Sequence, residues 1–182
     1  MYKMDPYATH QKFLEYYIKK TSGDIIEFGT GHGSTGFILK LISGTDRKLL
    51  SLENDRSWYD KMVGMYPESE NHKYIFVNDW KEELIKLDKN KYSIVFIDQS
   101  PWMARLWTLD YFLNGGEYII IHDVDYFPKN GIFGKCIGSL DFDFSDKFNK
   151  WKVYYPDNPW PASTGPPTLV GTNKSGFEID EL

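Results

Sequence analysis

Three glycines at alternate positions follow an acidic residue near the start of the chain, in the segment Glu27-Phe-Gly29-Thr-Gly31-His-Gly33-Ser34. Glycine lacks a Cβ, so the backbone can turn sharply there and a ligand can lie directly against the peptide groups. The apolar run at 24–28 predicts a buried strand, and apolar residues at helical spacing after Ser34 predict a helix. The free N–H groups at the start of that helix favour an anionic ligand group. The segment is therefore predicted to be a ligand-binding strand, loop and helix.

Acidic residues and one histidine stand at the ends of the later predicted strands. Glu53 ends the second strand, Asp79 follows the third and Asp98 ends the fourth. The fifth strand runs into His122-Asp123-Val-Asp125. The carboxyl ends of parallel strands meet at one edge of an open α/β sheet, where ligands bind. These side chains are therefore expected to lie around one site.

Two motifs fit the glycine loop. Gly31-x-Gly33-x-x-Gly36 matches the fingerprint of dinucleotide-binding folds. Glu27-x-Gly29-x-Gly31-x-Gly33 closely resembles the first motif of class I S-adenosylmethionine (SAM) methyltransferases. The second is favoured because the turn begins at Gly29, where the strand ends, and a dinucleotide motif counted from there would need glycine at Ser34. The simplest alternative is a glycine-rich turn that binds nothing.

The resemblance to class I methyltransferases covers residues 8–174 and implies a set of SAM-binding residues. Glu53 would accept hydrogen bonds from the ribose hydroxyls, and Asp79 from the adenine amino group, with Trp80 beside the base. Asp79 is equally a good N-cap for a helix that begins at Trp80. The full implied set is Glu27, Gly29, Thr30, Gly31, Gly33, Ser34, Glu53, Asp79, Trp80 and Asp98.

The residues after strands four and five resemble those of small-molecule O-methyltransferases, including enzymes that modify sugars or glycans. Those families often carry Asp-Gly-x-His after strand four, whereas this chain has Asp98-Gln-Ser-Pro and lacks the histidine. An O-methyltransferase must align donor and acceptor and remove the proton of the acceptor hydroxyl. His122 is the predicted catalytic base, oriented by Asp98 or Asp123. A His-Asp pair at a strand end can also simply satisfy backbone groups.

A second version of this site uses a metal ion. Several of the resembling families hold a divalent metal with acids at the ends of strands four and five. Here Asp98, Asp123 and Asp125 would bind Mg²⁺ and lower the pKa of an acceptor hydroxyl. The two versions predict different metal dependence.

The elements that must position these residues alternate between strand and helix. Apolar periodicity predicts helices over 8–20, 55–65, 80–87 and 102–113, the last with Met103, Leu106, Leu109 and Leu113 buried. Seven strands are predicted, and the last two form an antiparallel hairpin over 148–155 and 168–172. The resemblance implies a Rossmann-like α/β fold: a seven-stranded, mostly parallel sheet with an antiparallel last strand and helices on both faces.

The whole chain, 1–182, is predicted to be one methyltransferase domain, with an N-terminal helix within 1–20 and a proline-rich substrate loop at 157–167. Trp102, Tyr126 and Trp160 are the candidate substrate residues. His10 and His72 are predicted to lie on the surface, and His32 in the cofactor loop.

Net charge is −5 and no basic stripe marks a nucleic-acid surface, so no nucleic-acid partner is expected. A single cysteine and the lack of a long apolar run predict a soluble, cytoplasmic protein without membrane contact. The predicted activity is SAM-dependent methyl transfer to a hydroxyl of a small acceptor, such as a sugar in a glycan. The alternatives are N-methyl transfer, a non-catalytic SAM- or nucleotide-binding module, and an NAD-binding Rossmann domain.

Overall fold

A computed structural model describes residues 7–124, 144–155 and 165–182. Helices and strands alternate through the first range, and two strands follow in the others. In chain order the elements are α1 (Gln11–Lys20), β1 (Asp24–Phe28), α2 (Thr35–Ile42), β2 (Leu49–Glu53), α3 (Arg56–Met65), β3 (His72–Phe76), α4 (Trp80–Leu84), β4 (Tyr92–Ile97), α5 (Trp102–Phe112), β5 (Tyr118–His122), β6 (Lys150–Tyr154) and β7 (Thr168–Thr172).

The strands form a seven-stranded sheet in the order β3-β2-β1-β4-β5-β7-β6. The first five strands pair in parallel, and β7 runs antiparallel to both β5 and β6. This confirms the predicted antiparallel last strand. The order reverses between β1 and β4, and ligands of open α/β sheets bind at such a switch point. The fold therefore places the glycine loop after β1 at the expected ligand site.

Helices cover both faces of the sheet, as predicted. On one face α1 and α2 pack against the strands through Phe13, Tyr17 and Ile38. On the other face α4 and α5 pack through Leu84 and Leu109. Both clusters exclude water from strand side chains that the sequence marks as apolar, which is the main force that holds the layers together. Among the described helices, none is both long and apolar enough to cross a membrane.

The buried face of α5 differs from the predicted one. Leu109 is buried as expected, but Met103 is 42% exposed. Two polar residues, Arg105 and Thr108, lie on the buried face together with Ala104 and Phe112. Leu106 and Leu113 are partly buried and pack against the core, so only Met103 departs from the predicted face. The buried face also includes Arg105 and Thr108, which apolar periodicity treats as exposed. α4 is also shorter than predicted, ending at Leu84 rather than at residue 87.

His72 is buried, so its predicted surface position is wrong. It lies on β3 at 1% exposure, and its Nε2 is 2.9 Å from Oγ of Ser51 on β2. The side chain of Ser51 continues the contact to Glu27 on β1, with an Oγ–Oε1 distance of 2.6 Å. A polar partner on the neighbouring strand makes burial of the imidazole tolerable.

Candidate active site

The first glycine of the loop is required by the fold itself. Gly29 has φ +82°, a conformation that glycine adopts without steric cost. A Cβ at Gly29 would lie 2.7 Å from the carbonyl oxygen of Asp98. Glycine therefore lets the backbone after β1 approach the backbone after β4 at the switch point.

The next two glycines are not required by contacts within the described protein. A Cβ on Gly31 or on Gly33 would come no closer than 3.5 Å to any described atom, and neither residue has positive φ. Gly36 is different, because a Cβ there would meet the ring of Tyr66 at 2.6 Å. The third glycine of the dinucleotide pattern thus serves helix packing, while a Cβ on Gly31 or Gly33 would make only ordinary van der Waals contacts.

Glu53 lies at the end of β2 and faces the glycine loop. Its Oε2 accepts hydrogen bonds from the backbone N and the Oγ1 of Thr30, at 3.0 and 2.9 Å. Its Oε1 accepts from the backbone N atoms of Asn54 and Asp55, at 2.8 and 2.9 Å. A carboxylate offers about four acceptor positions, so these four donors use all of them. A ribose could bind to Glu53 only by displacing Thr30 or a neighbouring donor.

Glu27 lies beneath the loop with no exposure to solvent. Burial raises the pKa of its carboxyl to about 7, and the neighbouring hydroxyls offset this only in part. Among the described residues its Oε2 has no hydrogen-bond partner. A buried acceptor without a partner is unusual and is consistent with a ligand group that is added on binding.

Asp79 is the N-cap of α4, which is one of the two roles that the sequence predicted for it. Its Oδ1 accepts hydrogen bonds from the N–H groups of Lys81 and Glu82, at 2.8 and 3.0 Å, so Asp79 is the N-cap of α4. Trp80 is 5% exposed, packs in the core against Phe28, and donates from Nε1 to the carbonyl of Ser100. The ring of Trp80 therefore lies in the core rather than at the surface beside a base.

The predicted catalytic residues lie together at the ends of β4 and β5. His122 Nδ1 is 3.3 Å from Oδ1 of Asp98 and 3.7 Å from Oδ1 of Asp123. Asp123 has φ +52°, an uncommon conformation for a residue with a Cβ, and such strain is concentrated at functional sites. The sheet topology thus brings these three side chains together, as the sequence predicted.

A fourth member of the cluster, Arg105, was missed by the sequence analysis. Its Nη2 donates to Oδ1 of Asp98 at 2.9 Å and lies 3.6 Å from Oδ2 of Asp123. The guanidinium also donates to the carbonyls of Asp98, Gln99 and His122. The only sequence signal for this role is a charged residue on an otherwise apolar turn of α5.

Thr9 and His10, which directly precede α1, pack against the cluster of Asp98, Arg105, His122 and Asp123. The predicted surface position of His10 is wrong, because its side chain is only 4% exposed. The chain before α1 crosses the carboxyl ends of the strands and buries it there. Its Nε2 lies 3.2 Å from the carbonyl of Gly33, and its ring centroid is 4.4 Å from that of His122. Thr9 Oγ1 donates to the carbonyl of Pro166 and lies 3.3 Å from Nε2 of His122. This segment therefore links the glycine loop to the acidic cluster.

The cluster separates the pKa values of its two carboxyls. Burial acts to raise the pKa of Asp98, but the charges of His122 and Arg105 outweigh it and lower the pKa below its ordinary value. Burial raises the pKa of Asp123, and His122 and Arg105 offset only part of that. Burial acts to lower the pKa of His122, yet Asp98 and Asp123 raise it above its ordinary value. Two carboxyls with opposite shifts are a common arrangement in acid–base chemistry.

The residues do not fit a divalent cation in the described conformation. Ligand atoms of Asp98, His122 and Asp123 lie within 4.8 Å of one another, a spacing that can hold a metal ion. However, the cationic Nη2 of Arg105 already lies against both carboxylates. The third predicted metal ligand, Asp125, lies outside the described residues.

Of the candidate substrate residues, only Trp102 is described. It begins α5, is partly exposed, and its ring lies 4.1 Å from the guanidinium carbon of Arg105. Trp102 therefore borders the cluster of Asp98, Arg105, His122 and Asp123. Tyr126, Trp160 and most of the proline-rich loop at 157–167 lie outside the described residues.

Searches of known proteins relate the chain to others through structure alone. No family model and no curated sequence matches it. Cofactor-bound Rv0187 from MTB matches 95% of this chain and 84% of its own length, with TM-score 0.66 and 13% identity. The O-methyltransferase TomG from Streptomyces achromogenes, solved with SAM, matches 91% and 80%, with TM-score 0.62 and 15% identity. An rRNA methylase from Streptococcus thermophilus matches 93% and 96%, with TM-score 0.51 and 16% identity.

The chain has the Rossmann-like class I methyltransferase fold. At these identities the likeness establishes the fold alone. Function depends on the residues of the site, since one fold can support many activities.

Proposed function

We propose that this protein is a SAM-dependent O-methyltransferase that acts on a hydroxyl of a small acceptor. The observation that carries the proposal is that neither backbone conformation nor packing within the described residues requires glycine at Gly31 or Gly33. A ligand that lies against the loop explains both glycines. The antiparallel β7 and the packing role of Gly36 argue against a dinucleotide-binding domain.

The residues around the loop suit the two ends of SAM. Glu53 stands where ribose hydroxyls can exchange with the hydrogen bonds of Thr30. The carboxyl of Glu27 is buried beneath the loop, and its Oε2 has no hydrogen-bond partner among the described residues, so its negative charge attracts the positively charged amino group of the methionine part. When bound, SAM supplies a methyl group already activated on a sulfonium. The chain then has to hold the acceptor in line and remove its proton, and alignment alone can contribute roughly 7–11 kcal/mol.

We propose that Asp123 is the base that removes this proton, rather than His122, which the sequence predicted. The side chain of Asp123 is 23% exposed, against 7% for His122. The Nε2 atom of His122 faces Thr9, whose hydroxyl is held by Pro166. The raised pKa also makes Asp123 the more basic of the two carboxylates. In this arrangement His122 and Arg105 hold Asp98, and Asp123 faces the acceptor.

A sugar hydroxyl is the acceptor class that we propose. The partly exposed Trp102 borders the cluster and offers an aromatic face to an apolar sugar face. The net charge of −5 argues against a polyanionic nucleic-acid acceptor, although some proteins of similar fold are RNA methylases. Amine acceptors are the alternative for the same site.

Calorimetric titration with S-adenosylhomocysteine and, in parallel, NADH tests the cofactor proposal. We expect S-adenosylhomocysteine to bind and NADH not to bind. Glu53→Gln should weaken the affinity, while the exposed Glu70→Gln serves as a matched control and should not. Binding of NADH alone, or of neither ligand, would refute the proposal.

The acceptor class is then tested with SAM labelled in the methyl group and a panel of sugars, phenols and amines. Label transferred to a sugar hydroxyl supports the proposal, and label transferred only to amines refutes O-methylation. With the acceptor in hand, Asp123→Asn should lower kcat about 10²- to 10⁴-fold. If His122→Gln lowers kcat by that factor and Asp123→Asn does not, the catalytic base is His122 rather than Asp123. Cofactor binding without turnover of any acceptor would indicate a binding module.

A further inference from the structure

Arg105 lies where the metal version of the site would place its cation. Its side chain is 4% exposed, and Nη2 lies 2.9 Å from Oδ1 of Asp98 and 3.6 Å from Oδ2 of Asp123. Two of the three acids that the sequence offered as metal ligands, Asp98 and Asp123, thus share one buried positive charge from the protein itself.

The guanidinium is fixed in this position from several sides. Its Nε donates to the carbonyl of Gln99 at 2.8 Å, Nη1 donates to the carbonyl of His122, and Nη2 donates to the carbonyl of Asp98 at 3.1 Å. If the side chain moved out to admit a metal ion, these carbonyls at the ends of β4 and β5 would lose their partners. Leaving buried acceptors unsatisfied is costly, so the arginine is not readily displaced.

The charge balance also leaves little attraction for a second cation. A divalent ion held by Asp98 and Asp123 would stand next to the guanidinium and beside His122, whose Nδ1 is 3.3 Å from Asp98. Like charges at such distances repel strongly at a site that is largely shielded from water. Mg²⁺ also requires near-octahedral oxygen coordination, and Oδ1 of Asp98 already accepts a hydrogen bond from Arg105.

We propose that Arg105 replaces the divalent metal, so that this site binds no metal ion and its methyl transfer is metal-independent. The proposal rests on the proposed function for the activity part, but its metal-binding part stands alone. Arg105 is a positioning residue: it holds Asp98 and the ends of β4 and β5, while Asp123, 3.6 Å from its Nη2, faces the acceptor.

Titration with Mn²⁺, followed by electron paramagnetic resonance of the free ion, tests this without an acceptor. The wild type should show no stoichiometric Mn²⁺ binding in the micromolar range. Arg105→Met keeps the bulk of the side chain and removes its charge, and it should bind Mn²⁺ at least tenfold more tightly. Adding Asp98→Asn to that variant should abolish the gain. The exposed Arg56→Met is the matched control and should behave as the wild type.

Arg105→Lys separates the charge of the residue from its structural role. Lysine keeps one positive charge but cannot reproduce the fork of hydrogen bonds. If charge excludes the metal, Arg105→Lys should still reject Mn²⁺. If Lys and Met variants bind Mn²⁺ alike, the exclusion is not due to charge and the proposal fails.

A wild-type protein that binds one Mn²⁺ tightly, and loses it in Asp98→Asn, would overturn the inference even if the Arg105 variants do not fold. Calorimetry with S-adenosylhomocysteine keeps this result separate from the cofactor proposal. Wild-type binding of S-adenosylhomocysteine should be unchanged after dialysis against EDTA, as should turnover of any acceptor identified. Failure to bind S-adenosylhomocysteine would refute the proposed function but not the metal result.

Discussion

Replacing Glu27 with glutamine changes the most deeply buried acid of the candidate site. Glu27 has no solvent exposure, and Ser51 donates to its Oε1 at 2.6 Å. Burial raises the pKa of the carboxyl from 4.5 to about 7. Glutamine has nearly the same shape and keeps an acceptor for Ser51, but it cannot ionise. The variant therefore isolates the cost of placing a negative charge beneath the glycine loop.

The magnitude follows from the difference between the two pKa values. From 4.5 to about 7, at about 1.36 kcal/mol per pKa unit, the free energy difference is about 3 kcal/mol. Between these pH values the folded protein binds more protons at Glu27 than the unfolded chain does. Ionisation of Glu27 therefore lowers the free energy of unfolding as pH rises from 4.5 to 7, and the loss is complete above pH 7.

His72 acts in the opposite direction within the same pH range. Burial lowers the pKa of its imidazole from 6.5 to about 4. The unfolded chain therefore binds more protons at His72 between pH 4 and 6.5, and the contribution of His72 to stability rises with pH there. Ser51 contacts both residues, and their opposite contributions to the pH dependence of the free energy of unfolding nearly cancel in the wild type. Only the difference between wild type and Glu27→Gln shows the contribution of Glu27.

Urea unfolding of both proteins at a series of pH values from 4.5 to 8 measures this difference. Glu27→Gln should gain about 3 kcal/mol relative to the wild type between the lowest and the highest pH. Glu70→Gln, at an exposed position, should show no comparable gain. A difference between wild type and Glu27→Gln that stays constant with pH would refute the argument, because it would mean that Glu27 ionises normally.

Three further predictions concern the loop and its neighbours. Gly29→Ala forces a Cβ into positive φ and to within 2.7 Å of the Asp98 carbonyl, so urea unfolding should show a loss of more than the roughly 1–2 kcal/mol of backbone strain alone. Thr30→Val removes one donor to Glu53 and should tighten S-adenosylhomocysteine binding about 2- to 10-fold in calorimetry, whereas Thr30→Ser should not. Asp79→Ala should lose about 1 kcal/mol of stability as an N-cap; unchanged S-adenosylhomocysteine affinity would exclude an adenine contact, and weakened affinity would support one.

The parts of the fold that could be predicted from sequence depend on local patterns. The strand of 168–172 and the loop from Gly29 to Gly33 carry their own apolar and glycine signals, and the structure places both as expected. The meeting of the strand-end side chains could also be predicted, because polar residues at the end of each predicted strand implied one shared edge. His122 and Asp98 therefore meet as predicted.

The errors arise where a polar residue is buried by partners far away in the chain. His72 is buried because Ser51 lies on the neighbouring strand, and His10 because the start of α1 crosses the sheet edge near Gly33. Neither contact has a local signature in the sequence. The burial of Arg105 on α5 was missed for the same reason, since its guanidinium is stabilised by carbonyls that lie outside its helix.

Ligand space and charge compensation therefore differ in how well a sequence reveals them. A loop that binds a ligand can be recognised by glycine at positions where packing requires none, as at Gly31 and Gly33. The cation that pairs with a buried acid has no such signal in the sequence, because the sequence does not reveal which arginine of an amphipathic helix will contact it. Asp98 and Asp123 looked like metal ligands only because their nearest cation, Arg105, is invisible at the level of sequence spacing. A pair of acids at strand ends becomes an argument for a metal only after the basic residues of the adjoining helix have been placed.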